Sequence, residues 1–253
     1  MPISFADIHL ALVCPMANEG EDGVRFVQKA LEQCNGFRRV EFFAILDRAT
    51  RDNTVELLRA YGTQEPRLNV VWAPENRCVV DAYVRGYKEA LDAGADWILE
   101  IDAGFSHDPQ DIPLMCSKML QGYDCVFGSR FMPGSNYVRD SAKRYWVSRG
   151  GTILANGLLG TSQTDMTSGF ELFSRRALEN VLRMGIQSRA HFFQTEIKVY
   201  CRRLKLVEVP IHYRSPSPRL GSSALKDSLR QLRRLFGLRL RGALPAVSFH
   251  TNP

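Results

Sequence analysis

Four short apolar runs constrain what this chain can fold into: HLALVC at 9–14, VEFFAIL at 40–46, LNVVW at 68–72 and WILEI at 97–101. Each has the length of a buried strand and is too short for a helix. Each stops at a residue that turns the chain or carries charge: Pro15, Asp47, the Ala73-Pro74 pair and Asp102. Helical patterns fill the intervals. Val24, Val27, Leu31 and Cys34 recur at helical spacing, and Gly36 closes that segment. Residues 54–61 predict a short helix. A longer one over 79–93 carries Ala82, Gly86 and Ala90 on a small-residue face. Strand and helix alternating at such short intervals imply an α/β domain, with a mostly parallel sheet and helices on both faces.

The second half is less regular. A strand is predicted at 125–128, then a polar loop with glycine over 129–144 and a helix over 145–159. A strand at 171–174 and a helix over 192–203 follow. The segment 206–213 alternates as a strand, and Pro210 marks it as an edge. A Pro/Ser/Gly loop over 215–223 precedes a basic terminal helix. No internal repeat or low-complexity linker is visible, and 253 residues suffice for one sizeable core. The reading is one domain over 1–224, with a C-terminal helix and tail over 225–253. On that helix Leu225, Leu229, Leu232, Phe236 and Leu240 form a stripe. Lys226, Arg230, Arg233, Arg234, Arg239 and Arg241 surround it, opposed only by Asp227, and Gly237 weakens it. Such a helix lies on an anionic membrane surface, or packs its stripe on the domain's own core or on a second subunit.

Composition narrows the function. Six cysteines without paired spacing give no zinc pattern and read as reduced, buried thiols. Asp7 precedes the first apolar run and His9 opens it, unlike a signal peptide. No run approaches the roughly 20 apolar residues of a membrane span. The expectation is a cytoplasmic protein, with peripheral contact on the inner membrane face as a further option. The net charge of +6 is modest and concentrated in the C-terminal third. The arginines lack interleaved aromatic platforms, which argues against nucleic acid.

The chemistry gathers at the strand ends. Pro15, Asn18 and Glu19 follow the first strand, Asp47 the second, Asn76 the third and Asp102 the fourth. Any one of these alone more often caps a helix or makes a turn. Four in succession outline a ligand rim, because ligands of open α/β sheets sit at the carboxyl ends of the strands. After Asp102 the chain breaks into Ala103-Gly104, which lets a phosphate-bound cation approach the carboxylate. His107 reads as a turn or supporting residue rather than a ligand. No Ser-His-Asp or Cys-His arrangement and no triphosphatase-type phosphate loop is present.

These blocks resemble the family 2 glycosyltransferases, and within them the polyprenyl-phosphate (dolichyl-phosphate) mannose and glucose synthases. Pro15-Met16-Ala17-Asn18-Glu19 is similar to the family's Pro-x-x-Asn-Glu opening. The segment 47–54 resembles its base- and ribose-binding stretch, and Gly128-Ser129-Arg130-Phe131 its Gly-Ser-Arg-aromatic stretch. Asp165-Met166-Thr167-Ser168-Gly169-Phe170 is similar to its Asp-x-Thr-Ser-Gly-Phe run. Phe193-Gln194-Thr195-Glu196 and then 207–211 match two further blocks in order. The resemblance spans roughly residues 8 to 225 and implies a glycosyltransferase A-type, Rossmann-like sandwich.

It further implies a metal-assisted, inverting transfer of a hexose from a GDP- or UDP-linked sugar to a polyprenyl phosphate. Pro15, Asn18, Glu19, Asp47 and Asn76 would bind the nucleotide, and Asp102 would hold Mg²⁺ or Mn²⁺ against the diphosphate. Arg130 and Arg144 would grip the acceptor phosphate, a task suited to the planar guanidinium fork. An ionised phosphate needs no general base. A saccharide or other hydroxyl acceptor would need one, and Asp165 and Glu196 are the candidates. Departures from the family pattern also favour a third reading, a non-catalytic partner subunit. Arg48 replaces a common second Asp, Cys78 and Val80 replace two glycines, and Asp102-Ala103-Gly104 stands where the family has Asp-x-Asp. Ser106 sits where the lipid-phosphate synthases often have Gln.

Overall fold

The computed structural model describes residues 4–138, 142–214 and 222–249, with the side chains of 137, 138, 142–144 and 222 outside the described set. The first half alternates as expected. β1 (His9–Pro15) leads to α1 (Glu21–Glu32), β2 (Arg39–Leu46) to α2 (Thr54–Gly62), β3 (Leu68–Trp72) to α3 (Val79–Asp92), and β4 (Trp97–Glu100) follows. After a short α4 (Ile112–Ser117) come β5 (Cys125–Ser129), β6 (Asn136–Val138) and α5 (Ala142–Leu159). The chain ends with β7 (Glu171–Ser174), α6 (Arg175–Met184), α7 (Phe192–Cys201), β8 (Leu206–Pro210), β9 (His212–Arg214) and α8 (Ser222–Leu240).

Seven strands form the main sheet in the order β3-β2-β1-β4-β7-β5-β8. All run parallel except β7, which is antiparallel to both β4 and β5. The exception follows from where β7 starts. Residues 165–170 lie along the carboxyl edge of the sheet, so a strand leaving that edge at Glu171 must run back through it.

Alternation along the strands sends side chains to two cores. Leu10, Leu12, Phe42 and Leu99 pack with Phe26 and Leu31 of α1, Leu58 of α2 and Met115 of α4. Val13, Ile45, Phe127 and Phe173 pack on the opposite face, with Tyr83 and Tyr87 of α3, Val181 of α6 and Ile197 of α7. Helix α3 comes close to the sheet through its small-residue face. A Cβ at Gly86 would lie 2.3 Å from Val13 Cγ1, closer than real Cβ atoms come, and 3.0 Å from Ile45 Cγ1.

Three expectations change. The predicted strand over 206–213 is two strands. β8 ends at Pro210 as the edge of the main sheet, and β9 pairs with β6 in a separate two-stranded sheet. The loop predicted over 129–144 contains β6 and the start of α5. The helix α6 had no expectation over it, although Ser174 caps its N-terminus through Ala177 N at 3.4 Å and Gly185 closes it at φ 76°.

The boundary placed at 225 falls inside α8. That helix buries Leu232 and Leu235 in the domain's core, with Val247 beyond it, while Leu225, Leu229 and Leu240 remain exposed. The predicted stripe is therefore buried at Leu232 and exposed at Leu225, Leu229 and Leu240. The loop placed over 215–223 falls mainly outside the described residues. No helix among the described residues is long and apolar enough to cross a membrane.

Candidate active site

The ends of β1, β2, β3 and β4 bring the predicted nucleotide residues to one edge. Past β1, Asn18 adopts φ 58° and ties the neighbouring loop to itself. Its Nδ2 donates to Ala49 O at 3.0 Å, and its Oδ1 accepts from Arg51 N at 2.7 Å. Asp47 caps the same loop, accepting from Ala49 N at 2.8 Å. The backbone N–H groups of Glu19 and Gly20 both donate to Thr54 Oγ1, at 2.9 and 2.8 Å. Two groups on this rim, Thr50 Oγ1 and Asn76 Nδ2, are buried with no hydrogen-bond partner among the described residues. Unsatisfied buried polar atoms cost roughly 1–3 kcal/mol each, so a ligand that pairs them gains affinity.

Asp102 lies just past β4. Tyr83 of α3 donates its hydroxyl to Asp102 Oδ1. The Asp102 backbone N–H donates to His107 Nδ1 at 3.2 Å, and that nitrogen stands 3.7 Å from Asp102 Oδ2. The bond places the neutral ring's proton on Nε2. His107 is 1% exposed, and burial lowers its pKa to about 4. Its ring stacks on Phe170 with centroids 5.1 Å apart and meets Tyr213 at 5.3 Å. His107 thus supports Asp102, as the sequence suggested. Ser106, in the place of the synthases' Gln, spends its hydroxyl on Ala103 O at 3.0 Å.

Arg130, just past β5, meets Asp165 in a two-pronged buried pair. Nε donates to Oδ2 at 2.7 Å and Nη2 to Oδ1 at 2.9 Å. Nη2 also reaches Thr167 Oγ1 at 2.6 Å, and the guanidinium carbon lies 5.1 Å from the Tyr213 ring centre. Burial alone would raise the Asp165 pKa. The charge and bonds of Arg130, aided by Lys198, overcome that and hold the carboxyl well below the usual range. Asp165 also accepts from Thr167 N and Oγ1, at 3.0 and 3.1 Å. A carboxylate so occupied is not a proton acceptor for a substrate. Its observed work is to orient Arg130.

Glu196, the other candidate base, is fully buried and taken up by neighbouring donors. It accepts from Gln187 N, Ser188 N, Ser188 Oγ, Tyr200 Oη and Arg234 Nη2, locking α7 to the 185–188 loop and to α8. The fully buried carboxylate therefore has a structural setting. Arg144 lies in the first turn of α5, and its side chain lies outside the described residues.

Several buried polar groups beneath the edge were not anticipated. Glu100 and Glu171 face each other across β4 and β7, and Lys198 Nζ lies 3.0 Å from Glu171 Oε1. Tyr87 donates to Glu100. Glu208 of β8 accepts from Thr164 N at 2.6 Å and Asp165 N at 3.0 Å, fixing the segment that carries Asp165. An acid inside the ELFS strand and a lysine amid FFQTEIKVYC were the available clues; both segments otherwise read as core. Tyr83 and Tyr87, four apart on α3, share a helical face and could have been found by spacing.

Among the described residues no three His, Cys, Asp or Glu side chains converge into a metal cage. A hard divalent cation does not require one, because Mg²⁺ binds through one or two carboxylates, substrate phosphates and water. Asp102 is placed for that: its side chain is 39% exposed at the sheet edge, and Gly104, two residues on, puts no side chain over it.

A mostly parallel sheet with a polar rim at its carboxyl edge and a buried Arg–Asp pair beside it has the arrangement in which open α/β folds bind ligands. The sequence profile of Glycosyl transferase family 2 matches residues 12–182, and the chain belongs to that family. An undecaprenyl-phosphate mannosyltransferase of Micrococcus luteus is 28% identical over 171 residues, 67% of this chain and 70% of that protein. A polyprenol monophosphomannose synthase of Mycolicibacterium smegmatis is 24% identical over 220 residues, 86% and 81% of the two chains. Glucosyl-3-phosphoglycerate synthase from Mycobacterium tuberculosis shares the fold. Its complex with Mn²⁺, UDP-glucose and phosphoglyceric acid superposes with a TM-score of 0.64 at 17% identity, covering 96% of this chain and 82% of that one. Its complex with Mg²⁺ and UDP gives 0.60 at 16% identity, covering 96% and 82%. The glycosyltransferase A-type sandwich expected from the sequence is the fold observed.

Proposed function

We propose that this glycosyltransferase moves a hexose from a nucleoside-diphosphate sugar to a polyprenyl phosphate, with a divalent cation on the diphosphate. The observation that carries the choice of acceptor is the fate of the two candidate bases. Asp165 is consumed by Arg130, and Glu196 by five donors of the loop, α7 and α8. A hydroxyl acceptor needs such a base, whereas an ionised phosphate is already a nucleophile. The two named relatives act on undecaprenyl and polyprenol phosphates, which agrees with this reading.

In this mechanism the rim from Asn18 to Asn76 receives the nucleoside, and Thr50 and Asn76 offer it unpaired polar groups. Asp102, oriented by Tyr83 and His107, faces the diphosphate. The cation, Mg²⁺ or Mn²⁺, supplies positive charge to the departing diphosphate when bound. Arg130, held rigid by Asp165 and Thr167, lends charge to the acceptor phosphate, and Arg144 joins it. Catalysis is alignment and charge neutralisation without proton transfer. A lipid acceptor also suits the exposed apolar side chains of Trp146 and Ile153 on α5 and of Leu225 and Leu229 on α8, with Arg230 and Arg233 beside them. That face would rest on an anionic membrane.

The test is transfer of labelled sugar from GDP-mannose and from UDP-glucose to polyprenyl phosphate, read in the organic-extractable fraction with Mn²⁺ or EDTA. Label in the lipid fraction, lost with EDTA, is the expected result. Transfer to a soluble saccharide instead would overturn the choice of acceptor. Binding of nucleotide sugar without transfer to either acceptor would favour a non-catalytic partner.

A further inference from the structure

The family's second metal carboxylate is absent, and the structure shows what occupies its place. Gly104 stands there at φ 68°, followed by Phe105 at φ 56°. A Cβ built on Gly104 would lie 3.2 Å from Glu19 Oε2. The space that an aspartate side chain at 104 would enter is therefore filled by a carboxylate arriving from the end of β1.

Glu19 is placed there by the chain around it. Its backbone N–H and that of Gly20 are held by Thr54 Oγ1, whose hydroxyl donates to Asp52 Oδ1 at 2.6 Å. Asn18, in the left-handed region, turns the chain immediately before it. Phe105 is fixed in turn by an edge-on contact with Phe26, centroids 5.2 Å apart. The carboxylates of Asp52, Asp22 and Asp102 act on Glu19, and among the described residues no cationic side chain is bonded to it. A divalent cation relieves such an arrangement, and its preference for oxygen ligands matches the donor set.

We propose that Glu19 supplies the second carboxylate for the cation, acting with Asp102 across the gap left by Gly104. The inference rests on the glycosyl-transfer reading only in taking a divalent cation to accompany the nucleotide. It gives Glu19 a role beyond nucleoside contact. It also explains how the chain keeps a two-carboxylate site after the loss of its Asp-x-Asp pattern.

The experiment measures Mn²⁺ binding by the electron paramagnetic resonance signal of free Mn²⁺, in the presence of GDP and separately of UDP. Wild type is compared with Glu19→Gln and with Glu19→Ala combined with Gly104→Asp, in which the shortened side chain leaves room for the new carboxylate. Thermal unfolding in EDTA checks that each variant folds. Glu19→Gln is expected to unfold at or above the wild-type temperature in EDTA and to bind Mn²⁺ at least tenfold more weakly. The double variant is expected to recover part of that loss, since Asp tolerates left-handed backbone better than most residues. Unchanged Mn²⁺ affinity in Glu19→Gln overturns the inference. So does failure of wild type to bind Mn²⁺ with either nucleotide. In both cases the glycosyl-transfer reading is decided separately by the labelled-sugar assay.

Discussion

Arg130 and Asp165 lie 35 residues apart in sequence and meet through two nearly parallel hydrogen bonds of 2.7 and 2.9 Å, with the carboxylate fully buried. The pair joins the end of β5 to the segment entering β7. Through the Tyr213 ring it adjoins His107, and through His107 it adjoins Asp102.

Asp165→Asn keeps the shape and removes the charge that pairs with the buried Arg130. Breaking a buried pair in this way costs about 3–5 kcal/mol. Urea unfolding should show a loss of that order. Labelled-sugar transfer should fall by about 100-fold or more, because a guanidinium released from its partner no longer holds its alignment.

Glu196→Gln should separate stability from chemistry. The substitution weakens the bonds from Tyr200, Ser188 and Arg234, so the thermal midpoint should fall by several degrees, about 1–3 kcal/mol of stability. The transfer rate per folded molecule should stay within about threefold of wild type, given that single distant sites act independently. A much larger loss of rate with an unchanged midpoint would restore Glu196 as a candidate base.

Burial lifts the Glu171 pKa from 4.5 to about 7, against the opposing pull of Lys198. The folded protein then keeps a proton that the unfolded chain releases. This contribution to stability is complete below about pH 4.5 and is lost as pH rises to about 7. In Glu171→Gln it is absent. Stability of the variant minus that of wild type, from urea unfolding at successive pH values, should therefore rise across this window by up to about 1.4 kcal/mol per pH unit. A flat difference would show that Glu171 is ionised throughout.

Gly86→Ala places a methyl group 2.3 Å from Val13 Cγ1 in the contact between α3 and the sheet. Overpacking of this kind costs about 1–3 kcal/mol. Chemical denaturation should register that loss. The shift of α3 should also loosen the Tyr83 hydrogen bond to Asp102, so transfer should weaken along with stability.

The first half of the fold was legible because its physics is local. Leu10 to Cys14 and Trp97 to Ile101 have no room for any element but a strand, and the intervening helices show their period directly. Asp47, Asn76 and Asp102 stand out because each follows such a run closely. The antiparallel course of β7 was not legible, since ELFS has the same composition whichever way it runs. The division of 206–213 depends on β6, whose paired residues lie 76 positions earlier. Arg130 and Asp165 were both singled out from sequence, but as an anion-binding group and a base, and not as partners of each other.

The sequence by itself determined the alternation of elements, the polar strand ends and the ordered blocks that mark a family 2 glycosyltransferase, because apolar period and turn chemistry act over a few residues. Only the tertiary structure decided which charges are spent on one another. Asp165 turns to Arg130, Glu196 to Arg234, and Glu19 to the space beside Gly104. Those choices depend on distances between segments far apart along the chain, and on burial that removes the competing water.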